Sequence, residues 1–174
     1  MFKKFITVLS AFFLLSACSG MAVEDFKDGK PELVLEDYFK GRTVAWGIFE
    51  DRFGQLRRQF KVTIDGTWDG KILTLDERFK YEDGETDQRI WRIKKIGRGN
   101  YEGRAADVIG VATGVAAGNA LNWQYEMVLK VGDRSLRVSF NDWMFLQSGG
   151  VLINRARVSK LGVEIGSVTL FFKK

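Results

Sequence analysis

Residues Trp68–Ile93 read WDGKILTLDERFKYEDGETDQRIWRI. Apolar and polar side chains alternate there with a period of two, the pattern of half-buried β-strands. Asp69-Gly70 and Asp83-Gly84 mark tight turns on either side of the first strand. Leu73, Leu75, Phe79 and Tyr81 share one face; Ile72, Thr74, Asp76, Arg78 and Lys80 share the other. Glu77 falls on the apolar phase. After the second turn, Arg89, Trp91 and Ile93 form the corresponding phase. Two charged residues, Glu77 and Arg89, are therefore expected to face inward. A three-residue loop over Asp83–Glu85 would set Phe79 opposite Arg89 and Glu77 opposite Trp91, making Glu77 and Arg89 diagonal neighbours.

The same alternation extends through the chain. Val44, Trp46 and Ile48 are expected to form an inward face, followed by Phe60, Val62 and Ile64 on the next strand. Leu121–Val131 alternates Leu121, Trp123, Tyr125, Met127 and Leu129 with polar residues. A Gly132-Asp133 turn then sets Leu129 opposite Leu136, Met127 opposite Val138, Tyr125 opposite Phe140 and Trp123 opposite Asp142. Asp142 is thereby placed on the inward phase. Val151–Val158 and Val163–Phe172 supply two more strands, and the Gly/Ala-rich run near Asp107–Thr113 supplies another. Pro31–Lys40 reads as one short helix, with proline in its first turn and Gly41 at its end. Eight to nine strands joined by hairpins predict an all-β fold. An antiparallel up-and-down, lipocalin-like barrel with a short N-terminal helix is the simplest closure, and a β-sandwich is the other.

Composition narrows the chemistry. The 174 residues contain 19 glycines, one proline, one cysteine and no histidine. Without histidine there is no Ser-His-Asp triad or Cys-His pair, and most zinc sites are excluded. A lone cysteine excludes an internal disulfide. No metal and no cofactor is expected.

The first residues have the layout of a secretory signal: Lys3 and Lys4, then the apolar run Phe5–Leu15, then small residues before Cys18. Leu15-Ser16-Ala17-Cys18 resembles the bacterial lipobox, which implies cleavage before Cys18 and acylation of that cysteine. The expected organisation is a signal peptide over residues 1–17, a lipidated polar tether over 18–30 and a β-barrel domain over 31–174. Cleavage removes Lys3 and Lys4 from a formal charge of +5, so nucleic acid is not an expected partner. Three acyl chains would anchor the protein firmly to a membrane. Ser19, not Asp, follows the cysteine, which by the lipoprotein sorting rule implies the outer membrane, periplasmic face.

YFKG followed by a strand bearing Trp46 is similar to the start of bacterial lipocalins, with Thr43 standing where their strand tryptophan would be. The runs TWDG, LDERFKYEDGE, QRIWRI, NALNWQY, NDWMFL and INRA resemble a family of uncharacterised proteobacterial lipoproteins. That resemblance brings no assigned activity. Some members of that family are encoded near enzymes that modify fatty acyl chains.

The candidate ligand-binding residues are Trp46, Glu77, Arg89, Trp91, Trp123, Tyr125 and Asp142. The aromatics either wall a cavity or simply fill a core. Glu77 and Arg89 either read a polar group, pair with each other or lie at a rim. Asn154-Arg155 either binds an anion or forms part of a solvated strand face, the second being the leading reading. The leading functional expectation is binding of a small hydrophobic or lipid ligand, such as a fatty acid or a phospholipid-like molecule, with Arg89 meeting an acidic head group. The other expectations are an envelope assembly protein with a filled core and a lipid-modifying enzyme. The protein is not expected to be an enzyme, because no nucleophile motif is present.

Overall fold

The computed structural model describes residues 20–131 and 134–174. The lipobox cysteine Cys18 and the Gly132-Asp133 turn lie outside the described residues. Ten strands are found among the described residues: β1 (Gly41–Asp51), β2 (Leu56–Trp68), β3 (Ile72–Tyr81), β4 (Thr86–Gly97), β5 (Asn100–Arg104), β6 (Val108–Ala117), β7 (Ala120–Val131), β8 (Arg134–Leu146), β9 (Val151–Lys160) and β10 (Val163–Lys173). Each pairs antiparallel with its neighbours in sequence, and β1 pairs with β10, so the sheet is a closed barrel and not a sandwich. The extra strand relative to expectation comes from the Gly/Ala-rich region. Its two arms, β5 and β6, form a hairpin of their own.

The β7–β8 register matches the expectation: Leu129 faces Leu136, Met127 Val138, Tyr125 Phe140, and Trp123 Asp142. The β3–β4 hairpin keeps the expected faces but slides by two residues. Tyr81 N–H donates to Glu85 O at 2.9 Å, so the loop is Glu82–Gly84. Glu77 therefore stands directly opposite Arg89, and Leu75 opposite Trp91. The even shift preserves every inward side chain.

In β1 the expected phase is reversed. Thr43 and Ala45 are fully buried inside, whereas Trp46 is 50% exposed on the outer wall. The inward positions are small for a steric reason. A Cβ on Gly47 would lie 2.5 Å from the Phe60 ring and 2.8 Å from Leu170. Neighbouring strands supply the apolar bulk, so β1 itself carries its larger residues outward. There Trp46 pairs across the sheet with Phe171 and Lys61.

The helix expected over Pro31–Lys40 is reduced to the five-residue α1 (Leu35–Phe39). Pro31 lies in a bend four residues before it. This helix reaches strand ends around one rim of the barrel. Tyr38 Oη donates to Gly150 O at 3.0 Å, and the Phe39 ring meets Phe172 edge-on at 5.8 Å. Buried Glu36 accepts from Lys95 Nζ at 2.6 Å and from Tyr101 Oη at 2.9 Å. Burial opposes the Glu36 charge, but these donors prevail and hold its pKa below the ordinary value. The segment expected as a polar tether is packed from Val23 onward. Val23–Phe26 forms a 3₁₀ turn whose Phe26 ring lies on Trp143 and Phe145, outside the barrel.

Candidate functional site

A ten-stranded barrel is wider than the eight-stranded kind whose side chains just fill it. Here the interior keeps a cavity of about 860 Å³, within the size range of small-molecule sites. Leu35 and Phe39 of α1 form its floor. Arg57, Arg58, Glu85 and Lys130 lie at the opposite rim, which is the mouth. Arg58 is ion-paired with Asp83 and Glu85, and Arg57 with Asp51.

One wall is aromatic. Trp91 meets Trp123 edge-on at 5.7 Å and Tyr125 edge-on at 5.4 Å; Tyr125 stacks on Phe140 at 4.9 Å. The Gly/Ala-rich hairpin makes room for this wall. A Cβ on Gly103 would lie 2.5 Å from Trp123 Cζ2, and one on Gly114 would fall on the same indole. At Gly103 and Gly114 the small residues admit a side chain; at Gly118 they admit a second backbone, because a Cβ there would fall on the carbonyl oxygen of Phe26.

A polar layer crosses this apolar interior. The strand β5 is short, and its ladder with β4 covers only Arg92–Gly97. Above it, Arg89 turns to Asp107 in the β5–β6 loop, with Nη2 2.8 Å from Oδ2 and Nε 2.9 Å from the same oxygen. Its other contacts are Met127 Sδ at 3.8 Å and the Phe79 ring at 5.6 Å. Burial works against the Arg89 charge, but Tyr125, Glu77 and Asp107 hold its pKa above the ordinary value.

Glu77 gains no such partner. Burial pushes its carboxyl up from 4.5 to about 7; Arg89 pulls the other way and Asp107 adds to the rise. Asp142 behaves alike. Burial raises it from 3.8 to about 7, against Arg89 and a long 3.5 Å hydrogen bond donated by Tyr125 Oη. Asp142 Oδ1 and Asn154 Oδ1 are buried with no hydrogen-bond partner among the described residues. Buried acceptors left in this state are costly unless water or a ligand reaches them.

Six of the seven sequence candidates thus line one cavity: Glu77, Arg89, Trp91, Trp123, Tyr125 and Asp142. Trp46 does not, for the reason given for β1. Arg89, expected to meet an acidic head group, is already engaged by Asp107. Two residues of the layer were missed. Asn154, expected with Arg155 on a solvated strand face, is instead fully buried, in phase with Leu152, Ala156 and Val158, and only Arg155 is exposed; that alternation was available in the sequence. Asp107 lies in a loop, where no periodicity marks it.

A family model described as a protein of unknown function (DUF3833) matches residues 12–174. The chain belongs to this family. No curated protein matches it in sequence. Among solved structures, it resembles the S-type phycobiliprotein lyase from Guillardia theta. The TM-score is 0.57, with 10% identity over 87% of this chain and 91% of that one. At that identity the likeness speaks for the fold, a lipocalin-like barrel.

Proposed function

We propose that this DUF3833 protein is a binding module, not an enzyme, that takes a small hydrophobic or lipid-like ligand into its barrel. The observation that carries this reading is the cavity of about 860 Å³, floored by α1 and walled by aromatic and aliphatic side chains. An apolar cavity with a few convergent polar groups is the common form of a ligand site. An assembly protein with a filled core would not need that volume. The Leu15–Cys18 lipobox in the sequence supports the second half of the reading: an acyl anchor on Cys18, at the periplasmic face of the outer membrane.

Native mass spectrometry of the protein taken from its own cells is expected to carry a co-purified small molecule. Displacement of the fluorescent dye phenylnaphthylamine is expected to be saturable. Trp46→Ala should leave dye binding unchanged, because Trp46 is outside the barrel, whereas Trp123→Ala should weaken it about ten-fold, equivalent to about 1.4 kcal/mol. Absence of any bound molecule and of saturable dye uptake would refute the binding reading. Intact mass before and after Cys18→Ala tests the anchor separately.

A further inference from the structure

We infer that the polar layer is built for a ligand presenting a cationic or hydrogen-bond-donating group, of the class of an amine on an apolar chain, and not for a carboxylate or phosphate. This rests on the cavity being a ligand site. Two carboxyl groups and one guanidinium line it together, Glu77 from β3, Arg89 from β4 and Asp142 from β8, with neutral Tyr125 from β7, and Asp107 of the β5–β6 loop is bonded to Arg89. The one cation is committed. Arg89 Nη2 lies 2.8 Å from Asp107, so that pair is internally balanced.

What remains is acceptor in excess. Glu77 stands across the β3–β4 ladder from Arg89 without a hydrogen bond to it. Asp142 Oδ1 and Asn154 Oδ1 have no donor. Donors are therefore the missing partners, and a buried ammonium would donate to them while offsetting one of the two carboxylate charges. An anion brought to the same place would meet two carboxyls in a medium that screens poorly. Nor does the mouth favour an anion through its guanidinium groups, because Arg57 and Arg58 are held by Asp51, Asp83 and Glu85.

The test uses the purified full chain and three probes of equal chain length: dodecylamine, dodecanol and dodecanoate. Each displaces phenylnaphthylamine at about pH 8, where the amine is still protonated. Dodecylamine is expected to displace at about ten-fold lower concentration than dodecanoate, with dodecanol between them. In Glu77→Gln/Asp142→Asn the amine should lose its advantage over the alcohol, while the alcohol still binds. If that double variant does not fold, Glu77→Gln alone is expected to shrink the advantage. Dodecanoate binding as well as the amine, for example through Lys130 at the rim, would overturn the inference and leave the cavity reading standing. So would an undiminished amine preference in the folded variant. Failure of all three probes to displace the dye would overturn both.

Discussion

Glu77 and Asp142 are carboxyls whose surroundings oppose ionisation, with burial outweighing the pull of Arg89. Their folded pKa values, each about 7, lie above their ordinary values of 4.5 and 3.8. The folded state therefore binds more protons than the unfolded chain between those limits. Their contribution to stability is fully present below the ordinary values and is lost as pH rises through about 7. Thermal unfolding at pH 5.5 and at pH 8 is expected to show the higher midpoint at the lower pH, by about 2–4 °C per kcal/mol. Glu77→Gln/Asp142→Asn should flatten this difference. Glu36 acts in the opposite sense, but its lowered pKa puts its effect below this window. These inward charges were legible in the sequence because they interrupt an otherwise apolar phase. The partner of Arg89 was not. Asp107 reaches Arg89 only because β5 stops short, a fact of three-dimensional closure.

Among the strands, phase was readable wherever one face carried the larger apolar residues. That held for β2, β3, β4, β7 and β8. It failed for β1, whose inward residues Thr43, Ala45 and Gly47 are small, with only Phe49 large on that face, while Val44, Trp46 and Ile48 point outward. Alternation identifies two faces but does not say which one is inside. The Gly-rich strands show the reverse limit. Composition signalled close approach, and the approaching group is the Trp123 indole from β7 at Gly103 and Gly114 but the Phe26 backbone at Gly118. Gly114→Ala should force that ring off β6, with a loss of about 1–3 kcal/mol in denaturant titration. A shift in tryptophan emission should accompany it. Gly114 pairs directly with Trp123 in the register, so the strain has no easy outlet along the strand.

For the molecule as a whole, most hairpins between neighbours were foreseeable from turns and alternation; the one formed by β5 and β6 was not. The β1–β10 seam was expected only as the closure of an up-and-down barrel, because no local signal connects those strands. It is also what makes the barrel a container. Deleting residues 168–174 removes most of the partners of β1 across that seam. The deletion is expected to abolish the cooperative thermal transition seen by circular dichroism and to eliminate dye uptake. The seam has a consequence in time as well as in space. Nine hairpin contacts link neighbours and can form early, but Val44 must find Lys173 across nearly the whole barrel sequence. Such distant pairing is slow, because loop entropy is spent before the contact repays it. The container comes into being at the last step, so a ligand has nothing to enter until folding is complete. Once inside, it favours the finished state by mass action.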